Sequence, residues 1–225
     1  MAGYTTNFGP DPYVKAEIIH AEAGVVRYTP YTGKIAIVGA GEGRENAPFN
    51  DPDWVVWGIN EIAQPRTTAW FELHPVSVQN SIELNVLRSV TVPVYTLELD
   101  PAIPTGVRYP LETVLDVFKR RYFTCTFAFQ IALALLIGAD EIGVWGCGLY
   151  MGGPRERLVE RPALDYWIGR AEGMGVKVSE DSGLAYQPML YGYDYHEEVA
   201  EIDRQVDGFV HVAQEWKKLH PHAGV

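Results

Sequence analysis

The chain has 225 residues, 47% of them hydrophobic, with 29 acidic against 18 basic side chains and a net charge of −11. That is enough apolar material for one full core or two small ones, which excludes a disordered or fibrous chain, and the acidic balance argues against a broad electrostatic grip on nucleic-acid phosphate. The longest apolar runs, such as Phe127 to Ile137, are shorter than the roughly 20 residues of a membrane helix, and residues 1–20 lack a basic start followed by an apolar stretch, so a soluble, cytoplasmic protein is expected.

Residues 1–33 alternate Gly, Pro, polar and aromatic positions around a short apolar stretch from Ala16 to Val26, and read as an arm or edge element. From Lys34 the pattern becomes short, β-rich runs: Lys34–Val38, Trp54–Ile59, Thr68–Leu73 and Val92–Leu97 are predicted strands. Helices are predicted over Leu111–Arg121 and Thr124–Ile137, followed by a strand over Glu141–Gly146. After a Gly/Arg loop from Gly148 to Pro162 come a helix over Ala163–Met174, a strand over Val176–Ser179 and a long C-terminal helix. Near-continuous apolar strands imply a sheet buried on both faces, so the expected fold is α/β and Rossmann-like: a mostly parallel sheet flanked by helices over residues 34–190, with the N-terminal arm before it and the helix of 191–225 after it. In that last helix Val199, Ile202, Val206, Phe209, Ala213 and Trp216 recur at spacings of three and four, a narrow seam suited to docking on the protein's own body or to a homodimer contact.

The strand Lys34–Val38 runs into Gly39-Ala-Gly-Glu42-Gly43, where glycines let backbone N–H groups approach a phosphate. Arg44 stands where a dinucleotide fingerprint has its third glycine, and the segment to Asp53 leaves room for only a short helix, so the readings are a nucleotide loop, a structural tight turn or, last, nicotinamide binding. In a doubly wound sheet ligands collect at the carboxyl ends of the strands. Those ends are Asn60-Glu61, Glu72-Leu-His74 and Gly146-Cys-Gly-Leu-Tyr150. Asn60 offers amide groups to a base or sugar and Glu61 suits a ribose hydroxyl, though either serves equally as a helix cap. His74 is a candidate general base or a structural histidine. The helix start at Tyr122-Phe-Thr-Cys-Thr126 places hydroxyls at a positive helix end, where Thr124 either caps or, with Thr126, binds a ligand. Arg155, Arg157 and Arg161 on a glycine-bearing loop suit either a departing diphosphate or Arg–Glu pairs in solvent.

Asp51-Pro-Asp53 reads as a turn rather than a metal site, and no His/Cys/carboxylate cluster has metal-ligand spacing. Cys125 and Cys147 lie in apolar segments and read as buried free thiols in a reducing compartment.

The series Ile35–Gly43, Asp51–Glu61, Trp70–His74, Tyr122–Thr126, Asp140–Gly146 and Glu160–Gly169 resembles a group of bacteriophage Rossmann-like proteins. More distantly, the order of glycine turn, strand ending in Asn, hydroxyl-rich helix start and Glu-Ile strand ending in Gly is similar to bacterial sialyltransferases that decorate lipooligosaccharide, which use a cytidine nucleotide sugar without a metal. The likeness implies that Gly39 and Gly41 form the nucleotide loop, that Asn60 touches sugar and phosphate, that Thr124 and Thr126 contact the nucleotide and that Tyr150 meets the leaving phosphate. The chain carries Gly148 where those enzymes have an Asp, and no histidine in the segment that supplies their base. His74 or Glu72 would then activate the acceptor, with Tyr150 and the three arginines on the departing phosphate. The expectation is a metal-independent, glycosyltransferase-like enzyme with no cofactor beyond its nucleotide-sugar donor, its acceptor being a hydroxymethylpyrimidine of DNA or a glycan. The alternatives are a non-catalytic protein that sequesters a nucleotide and an NAD(P)-dependent oxidoreductase.

Overall fold

Each short apolar run from Lys34 onward becomes one strand of a parallel sheet. In the computed structural model the described residues are 17–19, 27–29, 33–59, 66–149, 156–180 and positions 208, 210, 211, 214 and 218. The chain divides into two compact units, Met1–Leu184 and Ala185–Val225. Within the predicted arm, β1 (Glu17–Ile19) and β2 (Arg27–Thr29) pair antiparallel as a separate two-stranded sheet. The main sheet contains β3 (Lys34–Val38), β4 (Trp54–Ile59), β5 (Ala69–Phe71), β6 (Val94–Thr96), β7 (Gly106–Arg108), β8 (Glu141–Trp145) and β9 (Lys177–Glu180). All seven are parallel, in the order β7-β6-β5-β4-β3-β8-β9.

Alternation along the strands separates two faces. Ile35, Ile37, Trp57, Ile59, Phe71 and Tyr95 face the larger core, beneath α2 (Leu111–Phe118), α3 (Thr126–Ile137) and α4 (Arg161–Gly173). Ala36, Val38, Trp54, Val56 and Trp145 face a smaller cluster covered by Ala47 and Phe49 of the β3–β4 connection. On the same sheet a third cluster joins Trp70 and Val94 to Leu87 of α1 (Ser81–Ser89). The apolar circumference of α3 follows from its position, because it packs on β3 and also on α2 and α4.

Several boundaries differ from expectation. Helix α2 stops at Phe118, where Lys119 turns left-handed at φ 52° and its N–H bonds the Leu115 carbonyl, so Lys119 to Arg121 form an exposed turn. Helix α3 begins at Thr126, with Cys125 in extended geometry as its N-cap. The helix after the Gly/Arg loop starts earlier than expected, at Arg161, because Pro162 sits in its first turn, where its missing N–H is harmless. Helix α1 and strand β7 are additional to the expected elements. In α1, Asn80 accepts from Ile82 and Glu83 N–H while Glu83 reaches back to the Asn80 N–H, a full capping box. The seam residues from Val199 to Trp216 lie outside the described residues; positions 208, 210, 211, 214 and 218 are helical.

Candidate functional site

Strand order reverses at β3, whose neighbours are β4 on one side and β8 on the other, so the chain leaves these strand ends in opposite directions and opens a crevice above them. A cleft of about 580 Å³ lies there. Its apolar wall is built from residues just past the strand cores, Ile59, Leu73 and Leu97, and from Phe123, Phe127 and Phe129 around the start of α3. Polar groups enter from three sides: His74 after β5, Thr124 and Thr126 at α3, and Glu160 before α4, with backbone of Ala40, Gly41, Gly146 and Gly148 closing the rim. An apolar slot with a few convergent polar groups is the usual form of a small-molecule site.

His74 and Glu72 form the most developed chemical unit in this cleft. The His74 Nδ1–H donates to Glu72 Oε1 at 2.7 Å, and the His74 backbone N–H donates to the same oxygen at 3.1 Å. The Glu72 side chain is 2% exposed and the His74 side chain 56% exposed, so a buried carboxylate orients an accessible imidazole. With Nδ1 engaged, Nε2 is the nitrogen left to take a proton. The hydrogen bond to Glu72 raises the His74 pKa above 6.5, partial burial pulls against it, and the charges of Glu72, Glu160 and Glu83 add to the rise.

The glycine loop has a second task. The Gly39 N–H donates to the Trp145 carbonyl and the Gly41 N–H to the Gly146 carbonyl, both at 2.8 Å, clamping the turn after β3 to the turn after β8. A Cβ on Gly39 would lie 2.3 Å from the Gly146 oxygen and 2.8 Å from the Phe127 ring; one on Gly41 would lie 2.9 Å from the same oxygen. These glycines are therefore required by the close approach of two backbones, and Gly41 still borders the cleft. Gly43, left-handed at φ 84°, starts a single 3-10 turn over Arg44–Asn46, with Glu42 just before it, which is the short helical element the spacing allowed.

Thr124 is not the N-cap of α3. Its hydroxyl donates to the Val159 carbonyl at 2.7 Å and ties the helix start to the π-helical turn over Glu156–Glu160. The Cys125 side chain makes no capping hydrogen bond to the first turn of α3, and Thr126 opens that turn beside the cleft. Arg161 donates to Asp165 at 2.8 Å and to the Gly148 carbonyl at 3.4 Å, which favours the ion-paired reading of this residue and holds the two sides of the cleft rim together. Asn60, Glu61, Tyr150 and Arg155 lie outside the described residues, as does the Arg157 side chain.

Glu160, Leu97 and the three phenylalanines escaped sequence reasoning, which weighed strand ends and glycines and had no signal for an isolated glutamate at the end of a loop. Cys125 borders the cleft, yet burial pushes its thiol up to about 12, and burial lifts Cys147 well above its ordinary value, so both remain protonated thiols at neutral pH. Among the described residues no helix is long and apolar enough to cross a membrane, and no group of three His, Cys, Asp or Glu side chains is placed to hold a metal.

No family model and no curated protein matches the chain. Among solved structures it is similar to the sialyltransferase CstII from Campylobacter jejuni in complex with a substrate analogue, cytidine-5'-monophosphate, at 13% identity and a TM-score of 0.44, over 68% of this chain and 81% of that one. The same enzyme in complex with CMP-3FNeuAc matches at 13% identity and a TM-score of 0.44, over 67% of this chain and 80% of that one.

Proposed function

We propose that the protein is a glycosyltransferase-like enzyme that binds a nucleotide sugar in the cleft at the β3/β8 strand ends and passes the sugar to a hydroxyl acceptor. The observation that carries this reading is the imidazole of His74, oriented by the buried Glu72 carboxylate and facing a cleft at the topological switch point. In the reaction His74 Nε2 takes the acceptor's hydroxyl proton while the acceptor oxygen bonds the anomeric carbon. The bond from that carbon to the phosphate oxygen breaks, and its electron pair leaves with the nucleotide. Glu72 holds the tautomer and stabilises the imidazolium that forms. The first turn of α3, with Thr126, meets the departing phosphate, and Tyr150, Arg155 and Arg157 are assigned to the same anion. Gly41 and Gly146 shape the wall on which the nucleotide lies, and Asn60 and Glu61 are assigned to its sugar and ribose hydroxyls.

This assignment routes every proton and charge through the protein's own groups, so turnover is expected to survive saturating EDTA. Binding is tested by thermal unfolding in the presence of nucleotides, nucleotide sugars and dinucleotides. A ligand at 100 times its Kd stabilises the folded state by about 2.7 kcal/mol. A nucleotide sugar is expected to raise the midpoint, and a rise with dinucleotides alone would contradict the proposal.

A further inference from the structure

A second cluster of charged groups lies where α4 meets the turn after α2, outside the cleft. The Arg120 Nε–H donates to the Tyr166 hydroxyl at 3.2 Å, and Arg170 Nη1 donates to the same oxygen at 3.0 Å. Two guanidinium groups therefore stand within two hydrogen-bond lengths of each other with the phenol oxygen between them. Like charges this close repel, and a carboxylate normally offsets them. Among the described residues neither guanidinium meets one: Asp116 is taken by Lys119 and Asp165 by Arg161. The Arg170 guanidinium sits 5.0 Å from the Phe118 ring centre and 5.6 Å from that of Trp167, which replaces part of its hydration but adds no anion. Its Nε–H is buried and makes no hydrogen bond among the described residues. Arg121 follows Arg120 in the same exposed turn. The local field is visible on Tyr166, where burial raises the phenol but hydrogen bonds and charges from Arg170 and Arg120 more than offset it, leaving the pKa below 10.0.

We propose that Arg120 and Arg170, with Arg121 beside them, form an oxyanion site for the phosphate group of a phosphomonoester or phosphodiester. Guanidinium forks match phosphate oxygens in pairs, and an anion held against the exposed side of the pair offsets the repulsion that the phenol alone leaves in place. The exposed side of Arg120 admits the ligand, and the aromatic platform under Arg170 holds that guanidinium in one orientation before the ligand arrives. Trp167, stacked on Phe123 at 4.9 Å, links this platform to the cleft wall. The site is independent of glycosyl transfer and stands whether or not a sugar is moved.

The test is a titration of the full-length protein followed through the arginine Nε–H resonances in proton–nitrogen spectra. The probes are inorganic phosphate and oligothymidylate, each at fixed ionic strength with chloride as the reference. Saturable shifts of Arg120 and Arg170 are expected, with affinity at least tenfold weaker in Arg120→Gln and retained in Tyr166→Phe. Arg108→Gln, at an exposed pair with Glu112, is expected to bind as the parent does. Tighter binding of phosphate marks a monoester ligand, and tighter binding of the oligonucleotide a diester; either supports the site. Equal shifts with chloride, no saturation by about 20 mM of either probe, or unchanged affinity in Arg120→Gln would overturn it. Because Arg120 is exposed, Arg120→Gln is expected to keep the parent's unfolding midpoint, so lost binding is not lost folding.

Discussion

At the scale of single residues the account rests on His74 and Glu72. Because the folded-state pKa of His74 is raised, the base becomes neutral only above 6.5, and turnover is expected to rise with pH through that higher value. Glu72→Gln removes the largest cause of the rise, so its pH–rate profile should move to lower pH while its maximum falls. A profile that does not move would separate Glu72 from the base. The same shift has a consequence for stability. A raised pKa means that the pair stabilises the fold fully below 6.5 and loses that contribution as pH climbs through the folded value. The unfolding midpoint of the parent should therefore exceed that of His74→Asn by more at pH 5.5 than at pH 8.5. With the imidazole 56% exposed, the difference is expected to stay under about 1 kcal/mol. Both residues could be singled out in sequence because they end an apolar strand, although His74 read equally as a base or a structural histidine. Glu160 could not be, since only folding carries it to His74 from 86 positions further along the chain.

Among the elements, the glycine turn after β3 is the sharpest case. Its position and freedom from Cβ atoms were legible in Gly39-Ala-Gly41, but a sequence cannot distinguish a phosphate from a backbone carbonyl as the group that approaches. Here the Gly146 carbonyl takes that place. Gly39→Ala drives a methyl into backbone that cannot retreat, and a loss of about 2–3 kcal/mol is expected in urea unfolding. Gly169, exposed in the interior of α4 with nothing within 4 Å of its would-be Cβ, provides the contrast: Gly169→Ala should stabilise by about 0.5–1 kcal/mol. Equal effects at the two positions would refute the close-approach account. The capping box of α1 is present in Asn80-Ser-Ile-Glu83 but lies between more apolar runs, whereas β7 has three residues and no buried position to announce it.

For the whole molecule, the parallel α/β class was legible in near-continuous apolar strands, but the strand order was not, because order depends on which side each crossover takes. That order sets a cleft at one end of the sheet and a charged tie at the other. Glu141, 8% exposed at the start of β8, accepts from Lys177 at 2.7 Å and Ser179 at 2.8 Å on β9, with Lys34 of β3 at 3.9 Å. Burial raises the Glu141 pKa, yet the hydrogen bonds from Lys177 and Ser179 and the two lysine charges leave it below 4.5. A lowered pKa means stability that is present above 4.5 and lost as pH falls through the folded value. The gap in unfolding midpoint between the parent and Glu141→Gln should therefore narrow in acid, and a gap that widened would reverse the assignment. The central claim concerns the opposite end of the sheet. It is tested most directly by the turnover of a bound nucleotide sugar in the parent and in His74→Asn. The account predicts a loss of roughly 100-fold or more in kcat with donor affinity retained, whereas equal turnover in the two proteins would contradict it.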